Sequence, residues 1–327
     1  MNALRAVVFA YHNMGIAGIR ALLDHGFTIP MVLTHEDDPG ENRWFGSVAE
    51  FCRERGIPVF SPKDVNAPPW PDRIRTASPD LLFSFYYRSM LKKEILEIPP
   101  LGAMNLHGSL LPKYRGRAPV NWALVKGETE TGVTLHFMTE KPDAGDIVGQ
   151  AAVPIAFEDT ALTLFGKMEG AASRLLADLL PRIVRGEIPR RPNDLARGSY
   201  FGGRRPEDGR IDWSRPAVEI YNLVRAVTRP YPGAFAELAG EKLTVWWAIP
   251  LPAEAGNALS PGTIRISGGT SFAMAGGCAA PVSDPRRIVV ETGEGWLQLE
   301  EIEWRTRTAK GEGIADLLAG AANGRFS

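Results

Sequence analysis

Arg5-Ala6-Val7-Val8-Phe9-Ala10-Tyr11-His12-Asn13-Met14-Gly15-Ile16-Ala17-Gly18-Ile19-Arg20-Ala21-Leu22-Leu23-Asp24-His25-Gly26 decides the fold class. Arg5–Tyr11 is a β-branched and aromatic run that reads as a strand, ended by the polar turn His12-Asn13-Met14-Gly15. Ile16–His25 then places Ile16, Ile19, Leu22 and Leu23 at helical spacing, and Gly26 suits the helix stop. The alternation continues. Ile29–Thr34 reads as a second strand, Val48–Arg55 as a helix stopped by Gly56, and Pro58–Phe60 as a short third strand. Leu81–Phe85 is nearly all apolar, as a buried parallel strand is, and Ala103–His107 is the fifth strand. This order predicts an α/β fold: a Rossmann-like open, mostly parallel sheet with helices on both faces.

Further along, Val120–Val125 reads as a helix, Gly132–Phe137 as a strand and Leu162–Val184 as one long helix. Pro189–Pro206 is rich in Arg, Pro and Gly and reads as a linker with little regular structure. A helix over Ala217–Val227 and the turn Arg229-Pro230-Tyr231-Pro232-Gly233 follow it. Leu243–Ile249, Thr263–Ser267, Arg287–Glu291 and Trp296–Trp304 are short strand signals divided by Gly and Pro, which predicts a smaller C-terminal β-barrel. The expected division is a catalytic domain over residues 1–206, a barrel over 207–308, and a tail over 309–327. The tail carries a short helix signal at Ile314–Leu318 and is expected to fray.

Composition narrows the function classes. The chain has 327 residues, 44% hydrophobic and 23% charged, as an ordinary soluble globular protein does. Lys+Arg is 37 against Asp+Glu 38, so the basic excess of a nucleic-acid binder is missing at whole-chain level. Two cysteines, Cys52 and Cys278, make neither a disulfide framework nor a thiolate metal site. No signal peptide is visible and no apolar run reaches the roughly 20 residues of a membrane span, so the expectation is a cytoplasmic protein without membrane or nucleic-acid partners. Gly15 and Gly18 fall short of a Gly-x-Gly-x-x-Gly fingerprint, and no phosphate-binding Gly-x-x-x-x-Gly-Lys-Ser/Thr loop occurs. The two glycines have two open readings, ligand approach and close helix packing.

The chemistry concentrates in Met104-Asn105-Leu106-His107-Gly108-Ser109-Leu110-Leu111-Pro112-Lys113-Tyr114-Arg115-Gly116-Arg117. Asn105 and His107, two apart on a strand, share a face at its C-terminal end, where open α/β sheets bind ligands. An amide donates to an oxyanion without changing charge, and an imidazole moves protons near neutral pH. Lys141-Pro142-Asp143-Ala144-Gly145-Asp146 brings carboxylates beside a glycine, and Asp143 follows His107 by 36 residues, enough for the chain to return to the same sheet edge. An Asp there would orient the imidazole. Each residue alone has a bland reading: a structural histidine, a loop cap, a turn. His25, His35 and His136 read as structural or surface; His12, in the first loop, is a candidate ligand contact. No set of three or four metal ligands is present at workable spacing, so no metal is expected.

Asn105-x-His107-x-Ser109-Leu110-Leu111-Pro112, followed by Asp143-x-Gly145, resembles the signature of the 10-formyltetrahydrofolate-dependent formyltransferases. The likeness is greatest to the branch formed by the formyltransferase domains of bifunctional polymyxin-resistance proteins. It runs through Val7–His12, Thr34-His35, Asp38-Pro39-Gly40-Glu41, Phe83–Arg88, Asn105–Gln150, Phe201-Gly202-Gly203-Arg204-Arg205 and Pro230–Phe235. The resemblance implies a catalytic triad of Asn105, His107 and Asp143. It implies folate contacts at Ser89, Met90, Leu91, Arg117, Thr139, Glu140, Lys141, Pro142 and Asp143, those at Ser89 and Met90 through backbone. It implies 10-formyltetrahydrofolate as co-substrate and a UDP-linked amino sugar, UDP-4-amino-4-deoxy-L-arabinose, as acceptor, in lipid A modification and polymyxin resistance. His12, Arg204 and Arg205 are candidate acceptor contacts, the arginines as a diphosphate clamp or as a solvated linker. Methionyl-tRNA formyltransferase, a formyltransferase for another nucleotide-linked amino sugar, and a non-catalytic binder are the alternatives. A homo-oligomer or association with a decarboxylase module is left open.

Overall fold

The computed structural model describes residues 3–37, 42–252, 260–267, 286–319 and 325–326. Asp38–Glu41, quoted in the resemblance, and Cys278 lie outside the described residues. In chain order the first elements are β1 (Arg5–Ala10), α1 (His12–Asp24), β2 (Thr28–Leu33), α2 (Val48–Arg53), β3 (Val59–Phe60), α3 (Trp70–Thr76), β4 (Leu81–Phe85), α4 (Lys93–Leu96) and β5 (Ala103–His107). They are followed by β6 (Arg115–Gly116), α5 (Pro119–Val125), β7 (Glu130–Phe137), β8 (Ile147–Pro154), α6 (Ala161–Val184) and β9 (Tyr200–Phe201). Two compact units emerge. One comprises Met1–Val120, Thr129–Phe157 and Thr163–Gly203; the other comprises Asn121–Glu128, Glu158–Leu162 and Arg204–Ser327.

The first unit is built on a seven-stranded sheet in the order β3-β2-β1-β4-β5-β7-β8. The five strands from β3 to β5 run parallel. β7 and β8 complete the sheet antiparallel. The parallel centre is buried along its whole length: every residue from Ala6 to Ala10 and from Leu81 to Phe85 is buried, which is why these runs lack polar alternation. Val7, Phe9, Met31, Leu33, Leu82, Ile74 and Ile95 form one core cluster on the sheet. The chain leaves β1 for β2 on one side, whereas β4 lies on the other side of β1, so the strand order reverses at β1 and β4. Ligand crevices form at such reversals, beyond the C-terminal strand ends.

Two local expectations change. The helix starts at His12, so His12–Gly15 is its first turn and no separate polar turn intervenes. Its glycines serve packing: a Cβ on Gly18 would fall 2.4 Å from the Phe85 ring, and one on Gly15 would touch Ala10 at 3.0 Å. Pro189–Pro206 is also no plain linker. Its β9 pairs in parallel with β6, Arg115 and Arg117 donate their N–H groups to Ser199 O and Phe201 O, and Arg191 exchanges two backbone bonds with Ile147. Prolines and arginines hid this, because two-residue strands leave no periodicity to read.

The second unit carries α7 (Ala217–Val227), β10 (Ala234–Leu238), β11 (Glu241–Leu251), β12 (Ile264–Ser267), β13 (Arg287–Glu291), β14 (Trp296–Trp304), β15 (Arg307–Lys310) and α8 (Gly313–Leu317). Its antiparallel sheet runs β10-β11-β14-β13-β12, with β15 on β14. The start of the expected frayed tail is ordered: Ala309 and Lys310 pair with Ile302 and Glu301, and Ile314 and Leu318 are fully buried. Ile314 on the short helix and Leu318 at its C-cap, four residues apart, bury together.

Candidate functional site

β5 delivers Asn105 and His107 to the C-terminal edge of the sheet. Its register pairs Asn105 with Ser84 of β4 on one side and with His136 of β7 on the other. Beyond β7 the chain turns through Asp143 in a left-handed conformation, φ +50°. Gly145 closes that turn, where a Cβ would lie 2.0 Å from Phe137 O, so no side chain fits. Asn193 donates to Asp143 O (3.0 Å) and Gly145 O (3.2 Å), pinning the turn from the segment read as a linker. His12, Tyr86, Tyr114 and Ala118 are also left-handed non-glycine residues, at φ +51° to +66°. They sit at or just beyond the strand ends and in the Gly108–Pro119 loop; such strain clusters at working sites.

The polar groups converge on one carboxylate. Asp143 Oδ1 lies 3.6 Å from His107 Nδ1 and 3.5 Å from His136 Nε2. Asp143 Oδ2 accepts the Gly116 N–H at 2.8 Å. His107 Nε2 lies 2.8 Å from Tyr114 O; a carbonyl only accepts, so Nε2 carries the proton and Nδ1 faces the carboxylate. His136 Nδ1 is held the same way by Phe137 O at 2.8 Å. His136 Nε2 is therefore the acceptor for Asn105 Nδ2, 3.2 Å away. One amide N–H of Asn105 is fixed, and the other remains for a ligand. His107 is 7% exposed and His136 2%, whereas Asn105 is half-buried.

Burial pushes the His107 pKa down, with Asp143 and the Tyr114 carbonyl opposing, so the resting ring is neutral. Burial alone would raise Asp143, but the positive charge His107 and His136 carry when protonated, together with the Gly116 N–H, holds it at about 2. The hydrogen bond from Gly116 acts whatever the charge on the imidazoles, so the carboxylate is ionised at neutral pH. An ionised carboxylate between two imidazoles, beside an oriented amide, has the chemistry to relay a proton and to offer a donor to a developing oxyanion.

His136 is the residue that sequence reading missed, since it was taken as structural or surface. A signal existed: Thr134 and His136 interrupt the apolar series Val133, Leu135, Phe137 at the same period as Asn105 and His107. Thr134 Oγ1 donates to Ser109 O (2.6 Å) and accepts from Leu111 N (3.1 Å), bracing the loop after His107. Of the expected folate contacts, Ser89 and Met90 are exposed and Leu91 is buried. Arg117, Thr139, Glu140 and Lys141 are exposed near the Asp143 turn, and Pro142 is half-buried. His12 is no open contact. It is 7% exposed, packed against Phe45, Trp44 and Phe165 at centroid distances of 4.0, 4.5 and 4.4 Å, and burial drives its pKa down to about 3 with Arg88 assisting. Arg204 and Arg205 fall in the second unit. Arg204 donates to Asp208 O at 2.8 Å and lies 4.7 Å over the Trp122 ring; the Arg205 N–H donates to Asp208 Oδ2 at 2.7 Å. Among the described residues no cluster of three or more His, Cys, Asp or Glu could hold a metal, and no helix is long and apolar enough to cross a membrane.

Comparison with known proteins places this arrangement. Residues 13–180 match the model of the formyl transferase family, and residues 204–318 match that of the formyl transferase C-terminal domain. The chain belongs to the formyl transferase family. Its fold is shared by WlaRD, a sugar 3N-formyl transferase crystallised with dTDP and 5-N-formyl-THF, at TM-score 0.66 and 18% identity over 94% of this chain and 100% of that one. It is shared by the N-formyltransferase from Helicobacter canadensis, solved with folinic acid and dTDP-3-aminofucose, at TM-score 0.64 and 18% identity over 91% and 98%. HypX from Aquifex aeolicus, in complex with tetrahydrofolic acid, matches at TM-score 0.59 and 17% identity over 99% of this chain and 48% of its own.

Proposed function

We propose that the protein moves the formyl group of 10-formyltetrahydrofolate to the amine of a nucleotide-linked amino sugar, with UDP-4-amino-4-deoxy-L-arabinose as the acceptor. The observation that carries the reading is the Asp143 carboxylate within 3.6 Å of two imidazoles and adjoining Asn105, in a chain matched by both formyl transferase domains. The sugar follows from the resemblance to the formyltransferase domains of the bifunctional polymyxin-resistance proteins. It is supported by relatives of the same fold that were crystallised with dTDP or a dTDP-amino sugar and a folate.

In this reading the neutral amine attacks the formyl carbon and negative charge grows on the former carbonyl oxygen. Asn105 donates its second N–H to that oxygen. His107 Nε2–H joins it: its resting partner, Tyr114 O, is a neutral carbonyl, and an oxyanion is the stronger acceptor. Asp143 takes the proton the amine loses, directly or through water, and passes it to His107 Nδ1. His107 then gives its Nε2 proton to N10 of the folate as the C–N10 bond breaks. The amine has lost one proton and N10 has gained one, and exchange with water restores the tautomer. Arg204 and Arg205 are the proposed diphosphate contacts. A side-by-side assay with UDP-4-amino-4-deoxy-L-arabinose, a dTDP-amino sugar and charged initiator tRNA tests the assignment. Formylation of tRNA alone would transfer the protein to the tRNA branch.

A further inference from the structure

The segment from Tyr86 to Lys92 leaves β4 at the crevice and re-enters the core at Leu91, which is 2% exposed. We propose that Asn66 and His35 are positioning residues that clamp this segment in the shape that receives the flat heterocycle of the formyl donor; this rests on the folate reading above. Asn66 works as a peptide group would. Its Nδ2 donates to Met90 O at 3.0 Å, and its Oδ1 accepts the Lys92 N–H at 2.8 Å. One amide thus satisfies a carbonyl and an N–H two residues apart, as a neighbouring strand does. Asn66 is itself fixed, since Asp64 Oδ1 accepts from its backbone N–H at 2.9 Å and from its Nδ2 at 3.2 Å. At the other end His35 Nε2 accepts the Arg88 N–H at 3.0 Å, and its ring stacks on Tyr87 at 4.2 Å and 19°. A backbone N–H only donates, so this ring nitrogen is unprotonated; burial and then Arg88 lower the His35 pKa to about 4, which keeps it so.

The clamps leave a defined polar edge. Among the described residues no hydrogen bond engages the N–H groups of Ser89, Met90 or Leu91. Met90 is 52% exposed, so the two pinned ends carry a middle that stands into solvent. A pterin presents a lactam and an exocyclic amine along one edge, a pattern that pairs with successive peptide groups. Side chains outside the binding segment hold those peptide groups, which lets Ser89 and Met90 vary while the backbone array stays in place.

Asn66→Ala and His35→Ala in the full chain test the clamp. The probe is 5-formyltetrahydrofolate, measured by calorimetry, together with steady-state formyl transfer and amide hydrogen exchange. Asn66→Ala is expected to weaken 5-formyltetrahydrofolate binding by about tenfold, the effect of one or two lost hydrogen bonds and a less ordered site. The donor KM should rise in step, with kcat and the acceptor KM within about twofold of the parent. Exchange should quicken in peptides covering residues 86–92 and stay unchanged in β4. Asn66→Asp sets a carboxylate against Met90 O and should bind no better than Asn66→Ala. His35→Ala should show the same KM-against-kcat split, and it carries the test if Asn66→Ala does not fold. Parental affinity in the variants overturns the clamp alone, as does a fall in kcat at unchanged donor KM. A parent protein that binds no 5-formyltetrahydrofolate overturns the folate reading and the clamp with it.

Discussion

Replacing Asp143 by Asn keeps the size of the side chain, and an amide oxygen can still accept the Gly116 N–H. It removes the charge between the two imidazoles and, in the proposed mechanism, the group that receives the amine proton. At the observed 3.6 Å, a carboxylate and an imidazolium attract by about 5 kcal/mol at an effective dielectric of about 20, and by about 1 kcal/mol in bulk water. In the proposed mechanism the protonated form of His107 releases a proton to N10, so its destabilisation appears in the barrier. At about 1.4 kcal/mol per decade, turnover should fall between about 10-fold and about 10³-fold, and the burial of the pair favours the upper half of that range. The assay is initial-rate formyl transfer from 10-formyltetrahydrofolate at saturating acceptor, with 5-formyltetrahydrofolate affinity measured in parallel to show that the site still forms. Asp143→Asn within threefold of the parental rate, with intact folate binding, would refute the relay.

His136→Phe removes the acceptor that orients Asn105, and should lower kcat about tenfold with little change in either KM; His136→Gln, which can still accept from the amide, should recover much of the loss. Gly145→Ala forces a Cβ against Phe137 O and should cost about 1–3 kcal/mol in chemical denaturation while displacing Asp143 enough to depress activity. Acid should destabilise the fold in two stages. His12 and His35 resist protonation down to about 3 and about 4, whereas the unfolded chain takes up those protons below about 6.5, so stability is full above that pH and declines as pH falls through the interval. Asp143, held at about 2, contributes stability above its ordinary 3.8 that is lost between there and about 2. Melting temperatures taken from about pH 7 to about pH 4.5 should fall, and His12→Phe should flatten the slope; an unchanged slope would show that His12 is not buried neutral.

Patterning exposed most of the frame. Leu81–Phe85, Ala103–His107, Ala217–Val227, Arg287–Glu291 and Trp296–Trp304 appear with the bounds their sequences suggest, because each is a continuous apolar or period-matched run ended by Gly, Pro or polar residues. α3, over Trp70–Thr76, was hidden behind Pro68 and Pro69, and β10 behind the Pro-Tyr-Pro-Gly turn. The antiparallel direction of β7 and β8 is a property of chain routing, and a strand's own side chains carry little trace of it. Asn105, His107 and Asp143 were legible from the motif that carries the resemblance, and the structure brings all three into one cluster around His136. Its less visible parts depend on register. His136 matters because β7 sets it opposite Asn105, and Asn193 because a strand pair two residues long returns its segment to the Asp143 turn. His12 shows the converse: a polar residue in the first turn is drawn into an aromatic pocket by three neighbouring rings.

The most direct measurement is single-turnover formyl transfer by purified His107→Ala with pre-bound 10-formyltetrahydrofolate and excess UDP-4-amino-4-deoxy-L-arabinose, the sugar formamide being followed by mass spectrometry. The parent should form it, and the variant should bind the folate yet form it at least about a hundredfold more slowly. Formamide released by the variant at the parental rate would show that the imidazole between Tyr114 and Asp143 has no part in the transfer.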